Sequence, residues 1–110
     1  MNRDFALFQK EFRKWQVKFG LTGYKIYFEY EPLDSFASIT VNQNAMVATV
    51  KLDSSGECGD HRDIREHAKH EAIHLLTWRL EDRATSRYVL DSEIYETVEE
   101  LVCRLEGLIQ

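Results

Sequence analysis

The sequence predicts an α+β domain in which one helix precedes a small three-stranded sheet and two further helices follow it. Three observations support this class: an aromatic stripe at helical spacing near the start, a central run rich in alternating and β-branched residues, and two long helical patterns at the end. With 110 residues and 44% hydrophobic content, the chain can bury one core but not two of ordinary size. We therefore expect a single domain over 1–110.

The first predicted helix covers 4–19, where aromatic side chains recur every three or four residues. This spacing places them on one face of a helix, and Gly20 follows at a position where helices commonly end. A stripe of this kind usually belongs to the core, so we expect it to be buried. Its members are Phe5, Phe8, Phe12, Trp15 and Phe19.

The pattern then changes to the two-residue period of β-strands. "YKIYFEY", residues 24–30, alternates its side chains in this way and predicts the first strand. "SFASITV" at 35–41 and "MVATVKL" at 46–52 are rich in β-branched residues and are separated by "NQNA", so they predict a hairpin. The expected sheet is mainly antiparallel, and a polar, glycine-containing loop at 53–60 follows it.

The last half of the chain is helical in pattern. One helix is predicted from His61 to about Arg83, and a last one from about Asp91 to Leu108, with Asp91 or Ser92 as its N-cap. The apolar residues of the last helix form one stripe, which we expect to be buried. Its members are Ile94, Val98, Leu101, Val102, Leu105 and Ile109.

The charge and the cysteine content exclude several classes of protein. The 14 basic and 19 acidic residues give a net charge of −5 with no basic stripe, which argues against nucleic acid as a partner. The opening "MNRDFALFQK" has no apolar signal core and no run reaches the length of a membrane span, so we expect a cytoplasmic protein with no membrane partner. Two cysteines are too few for a disulfide framework, and we expect Cys103 to be a buried free thiol.

The candidate chemistry lies in "KHEAIHLL", residues 69–76. His70 and His74 are four residues apart, so on a helix both imidazoles can reach one tetrahedral zinc ion. Glu71 lies beside them, where its carboxylate can hold a water on the zinc and take its proton as the water attacks a carbonyl. We therefore expect Zn²⁺ as cofactor, His70 and His74 as metal ligands and Glu71 as the catalytic general base.

The motif, the sheet before it and the glutamate-rich helix after it resemble the HExxH zincin metallopeptidases. The resemblance is closest to the minimal, single-domain gluzincins and to small phage and prophage proteins similar to them. It covers most of the chain in the order of the elements, with "HEAIH" as its specific signature. It implies a zinc-dependent metallopeptidase that hydrolyses peptide bonds of a peptide or protein substrate, and a third zinc ligand from the last helix. It also implies that "MVATVKL" borders the substrate cleft.

The last helix contains several glutamates that could be this third ligand. Counted at about 100° per residue from Val98, Glu99 lies about 100° away and Glu106 about 80° away, both at the edge of the apolar stripe. Glu96 and Glu100 lie about 160° away, on the expected solvent face. Glu106 is close to the end of the chain, so we expect Glu99 to be the third ligand.

The resemblance is incomplete at this point. Larger gluzincins often carry a glutamate followed four residues later by an aspartate, whereas Cys103 follows Glu99 at that distance. Glu96 is followed by Glu100 and is therefore the second candidate for the third ligand.

Other residues near the motif leave alternatives open. His67 could be an alternative ligand, a hydrogen-bond donor to the transition state, or a polar residue at the rim of the cleft, and a lone extra histidine favours the rim. Cys58 and His61 could bind a structural zinc, but that site leaves Glu71 without a role.

The alternative function is a zinc-binding structural or accessory domain without peptidase activity. Glu71 favours catalysis, since a closed structural site needs no base beside its ligands.

Overall fold

The elements of the chain follow the order that the sequence predicts. A computed structural model describes residues 3–55, 63–85, 90–106 and 108. Within these ranges a helix is followed by three strands and two helices, so the predicted α+β class is confirmed. None of the helices in this described part of the chain combines the length and the apolar character needed to cross a membrane.

Three helices and three strands make up this described part. The helices are α1 at Arg3–Lys18, α2 at Ile64–Thr85 and α3 at Asp91–Glu106. The strands are β1 at Lys25–Glu31, β2 at Ala37–Asn42 and β3 at Val47–Asp53.

The strands form one mixed sheet in the order β1–β3–β2, so β3 is central and β2 lies at an edge. β2 and β3 make the predicted antiparallel hairpin, with Asn42 opposite Val47 at its turn. β1 pairs with β3 in parallel, from Lys25 opposite Val47 to Glu31 opposite Asp53. The sheet therefore has one parallel pair that the sequence does not predict, because side chains alternate in the same way in both kinds of pairing.

The loop between β1 and β2 crosses the end of β3, and Asp53 holds it there. The Asp53 carboxylate accepts hydrogen bonds from the Leu33 N–H at 3.0 Å and from the Ser55 N–H and hydroxyl at 3.1 and 2.8 Å. The Asp53 N–H donates to the Phe36 carbonyl at 2.8 Å. These bonds fix the loop that leads into β2, and so they help to set the strand order.

Replacing Asp53 with alanine is expected to lower the free energy of unfolding by about 1–3 kcal/mol, because the Leu33 and Ser55 N–H groups would lose a charged acceptor. Urea denaturation would measure this loss. Asp34→Ala is the matched control, because Asp34 is an exposed carboxylate in the same loop. Its effect should stay within about 0.5 kcal/mol, as for ordinary surface changes. Equal effects of the two variants would contradict the anchoring role of Asp53.

The core forms where α1 and α2 pack against one face of the sheet. Phe8 and Phe12 meet the ring of Phe28 edge-on, with ring centroids 6.4 and 5.6 Å apart. Phe19 is also buried, and Phe5 and Trp15 are partly buried against the same core, so the predicted stripe on α1 faces the core. Gly20 ends this helix in the left-handed conformation, with φ of 69°. The largest fully buried side chains are Phe8, Phe12, Val50, Leu52 and Leu75.

Helix α3 buries a different face from the one that the sequence predicts. Thr97 is its most buried residue at 3% exposure, whereas Val98 is 36% and Val102 48% exposed. The observed buried face is therefore rotated by about 100° from the predicted stripe. Cys103 is exposed, so the prediction of a buried thiol is wrong.

A cluster of charged side chains explains this rotation. Glu100 lies between two guanidinium groups: Arg79 of α2 pairs with its Oε2, and Arg104 lies 3.3 Å from its Oε1. Arg104 also donates to the carbonyls of Phe19 and Gly20 at the end of α1, at 2.8 and 2.5 Å. Charge-assisted hydrogen bonds of this kind are stronger than neutral ones, so they favour turning Glu100 and Arg104 towards α1 and α2.

Candidate functional site

Helix α2 carries the four side chains of the candidate site on one face. At about 100° per residue, His67, His70, Glu71 and His74 lie within an arc of about 100°. The adjoining face of α2 is buried in the core and includes two small residues, Ala68 and Ala72, and then Leu75. Packing of this small and apolar face against the core directs the polar face towards β2 and the surface.

The imidazoles of His70 and His74 face each other across one turn of α2. Their Nε2 atoms are 3.2 Å apart, and both residues are exposed. Two nitrogens at this distance, each about 2.0–2.1 Å from a shared zinc ion, would subtend about 100–106° at the metal. That angle is close to the tetrahedral value, so the geometry of the pair fits two ligands of one zinc ion.

Glu71 lies beside the two histidines but is buried, with 5% exposure. Burial raises the pKa of its carboxyl above the ordinary value of 4.5, and the charge of His74 opposes this in part. A raised pKa makes the ionised carboxylate a stronger base than a surface glutamate, and this is the property that a general base needs.

A recess of about 400 Å³ lies in front of these residues. Its other wall is formed by residues 35–39, at the start of the edge strand β2. The cleft expected beside "MVATVKL" is therefore bordered by β2 instead, because that segment forms the central strand β3. The sequence does not reveal that β2 borders the recess. The position of β2 at the edge of the sheet depends on the loop between β1 and β2, which Asp53 contacts from a distant part of the chain.

His67 and Phe36 both line the recess and contact each other. The two rings stack with their centroids 3.8 Å apart and their planes 10° from parallel. His67 lines the recess but is only 5% exposed, so it is a buried ring packed on Phe36 and not an exposed polar group at the rim. Sequence reasoning missed Phe36, because a single aromatic residue before a strand has no periodic signal.

The described residues do not provide a third metal ligand beside the two histidines. Among them, no group of three or more His, Cys, Asp or Glu side chains could hold a metal ion. Helix α3 was expected to supply this ligand, but it pairs with α2 through Arg79. Arg79 lies about 140° around α2 from His74, so α3 packs on another side of the helix.

The predicted third ligands accordingly lie apart from the histidines. Glu99 and Glu96 are both exposed on α3, and the structure does not bring Glu99 to His70 and His74. The alternative pair, Cys58 and His61, lies in the segment 56–62, outside the described residues.

We expect Glu99→Ala and Glu96→Ala to behave alike, because both side chains are exposed. Each should change the free energy of unfolding by no more than about 0.5 kcal/mol, the usual range for a surface site. Each should also leave zinc affinity unchanged in a titration that monitors competition with a chelating dye. Loss of zinc binding in Glu99→Ala alone would instead restore Glu99 as the third ligand.

Comparisons of the chain with protein-family models, with curated proteins and with solved structures gave no match. The described residues also contain no three-ligand group. The resemblance to the zincin metallopeptidases, and to the gluzincins and phage proteins among them, is therefore wrong as an identification. Its specific signature was five residues long, and an i, i+4 histidine pair with a neighbouring glutamate can arise on a helix without the rest of that family's site.

Proposed function

We propose that this chain is a metal-dependent hydrolase of peptide bonds, with His70 and His74 as ligands of a zinc ion and Glu71 as the general base. The observation that carries this proposal is the 3.2 Å separation of the two Nε2 atoms. The paired imidazoles and the buried Glu71 carboxyl line the same recess. When bound, zinc supplies a Lewis acid that polarises a carbonyl and makes water more acidic.

In this proposal Glu71 moves the proton. Its burial raises the carboxyl pKa, so the ionised group takes a proton from the attacking water more readily than a surface carboxylate would. The protonated carboxyl can then pass the proton to the leaving amine, which completes the exchange without a second acid. The stacked rings of His67 and Phe36 form part of the recess wall beside these groups.

An extended peptide is the substrate that suits this recess. The start of β2 forms one wall, and β2 is an edge strand of the sheet. An edge strand offers backbone N–H and carbonyl groups along which an extended chain can bind as a further strand. Such a chain would pass between β2 and the imidazoles, so one of its carbonyls would lie near Glu71.

A zinc-bearing peptide-binding or accessory domain without hydrolysis is the second candidate function. The observation that favours it is the absence of a third protein ligand among the described residues. The state of Glu71 favours hydrolysis instead, because a buried carboxyl costs stability and a purely binding or structural zinc site gives it no task.

The deciding experiment combines metal analysis with cleavage of a peptide library by the same preparation. The protein is loaded with zinc, its metal content is measured, and peptide products are identified by mass spectrometry. One zinc per chain together with defined cleavage products would support the hydrolase. One zinc per chain with peptide binding but no products would favour the binding domain, and no uptake of zinc would overturn both.

A further inference from the structure

A second recess, of about 340 Å³, lies on another side of α2. The α2 residues that line it are centred about 145° around the helix from those that line the histidine recess. It is closed by the end of α1, by the turn between β2 and β3, and by α3. The two recesses have no lining residue in common within the part of the chain that the structure describes. We call it the arginine recess, after the three arginines in its wall: Arg79, Arg83 and Arg104.

The charges in the arginine recess do not balance. Among the described residues that line it, Glu100 is the single carboxylate, against three guanidinium groups. It already pairs with both Arg79 and Arg104. Arg83 has no carboxylate partner among the described residues and lies one turn along α2 from Arg79. The described part of the lining therefore carries two net positive charges, in a chain whose overall net charge is −5.

The remaining lining residues are neutral, and several are apolar. Leu75, Leu76 and Tyr24 are buried and provide an apolar floor beneath the guanidinium groups. The Tyr24 hydroxyl already donates to Gln43 Oε1 at 2.6 Å, so Tyr24 contributes chiefly its ring. A recess of this size with an apolar floor and a few converging polar groups has the usual composition of a small-molecule site.

We propose that the arginine recess binds a small organic oxyanion, a phosphate monoester or carboxylate on a compact apolar body. Arg83 and Arg79 bind the anionic group, since guanidinium forks match oxyanions with paired hydrogen bonds. The apolar body lies on Leu75, Leu76 and the Tyr24 ring. Arg104 has a positioning role, because its guanidinium is held by Glu100 and by the backbone carbonyls at the end of α1.

The arginine recess is independent of the proposed hydrolase activity, so measuring the binding of small probes to the chain is enough to test it. Isothermal titration calorimetry of the full chain at low ionic strength would use phenyl phosphate, benzoate, inorganic phosphate and phenol as probes. We expect phenyl phosphate or benzoate, or both, to bind with one site per chain and a dissociation constant in the millimolar range or tighter. The stronger of the two identifies the preferred oxyanion. Phenol and inorganic phosphate should bind more weakly, because each provides only half of the interactions.

Arg83→Gln should weaken binding of the better probe at least about tenfold, since a hydrogen bond to a charged group is lost. Arg65→Gln is the matched control: Arg65 is exposed on the same helix face, about 27 Å along the axis. It should change the affinity less than about twofold. Arg83→Lys, which keeps the charge, should retain part of the affinity. The proposal is overturned if neither phenyl phosphate nor benzoate binds saturably or more tightly than phenol. It is also overturned if Arg83→Gln binds the better probe as tightly as the wild type, or if inorganic phosphate binds as tightly as that probe.

Discussion

Glu71→Gln is expected to lower the rate of peptide hydrolysis by about 100- to 10,000-fold, the usual contribution of general acid–base catalysis. Glutamine has nearly the same shape as glutamate, but its amide cannot accept the proton of the attacking water. Glu71 is not one of the proposed metal ligands, so zinc content should stay the same. The measurement is kcat/KM for a peptide identified in the library, together with metal analysis of both proteins.

The same substitution should stabilise the metal-free protein at pH values above the raised pKa of the Glu71 carboxyl. Burial raises the pKa of the Glu71 carboxyl above its ordinary value of 4.5, so the folded chain binds this proton more tightly than the unfolded chain. The free energy of unfolding therefore falls as the pH rises from 4.5 through the raised pKa, and the loss is complete above it. Glu71→Gln lacks this contribution, so its melting temperature with chelator should exceed that of the wild type above this window.

Glu81→Gln provides the control for both effects. Glu81 is an exposed carboxylate near the other end of α2 and outside the histidine recess. Its replacement should change neither the rate of hydrolysis nor the pH dependence of stability by a measurable amount. Cleavage by Glu71→Gln at the wild-type rate would show that Glu71 is not the base. An unchanged pH profile in Glu71→Gln would show that its carboxyl is not desolvated.

The parts of the fold that depend on local periodicity could be predicted from the sequence. The aromatic stripe of α1 and the β2–β3 hairpin involve contacts that the spacing of neighbouring residues determines. The meeting of His70 and His74 is of the same kind, because an i, i+4 pair converges on any regular helix. For this reason the most specific feature of the site was also the most predictable one.

The parts that the sequence did not predict depend on contacts between distant segments. The parallel pairing of β1 with β3 requires the loop that Asp53 holds, and the Leu33 N–H that it binds lies 20 residues away in the chain. The face that α3 buries depends on bonds between Arg104 and carbonyls 84 and 85 residues earlier. An apolar stripe indicates where a helix can be buried, but a charged pair on another face can outweigh it.

The expectation that Glu99 is the third ligand depends on the same kind of contact between distant segments. That expectation follows from the position of Glu99 at the edge of the apolar stripe, and it requires this stripe to face α2. Glu100 and Arg104, both partly exposed, face α2 and the end of α1 instead, and Glu99 is exposed. A hydrophobic pattern alone could not separate these two arrangements, because both place Leu101 at least partly against the core.

Replacing His70 or His74 should lower the zinc affinity more than replacing any other described residue. His70→Ala or His74→Ala removes one of the two proposed protein ligands. Zinc affinity should therefore fall by more than the roughly 10- to 100-fold that accompanies loss of a residue hydrogen-bonded to a metal ligand. Zinc should also raise the melting temperature of the wild type, because it binds the folded chain, and this rise should disappear in both variants. Competition with a chelating dye and thermal melts with and without zinc would measure the two effects.

His67→Ala is the matched control, since it removes a third imidazole from the same face of α2 and the same recess. His67 is stacked on Phe36 and only 5% exposed, so its loss should lower the melting temperature through lost packing. Zinc affinity should stay near that of the wild type, because the paired Nε2 atoms belong to His70 and His74. If His67→Ala loses zinc as completely as His70→Ala while remaining folded, the metal binds to a different set of imidazoles. In that case the 3.2 Å pair would be a hydrogen bond between two rings and not the two halves of a zinc site.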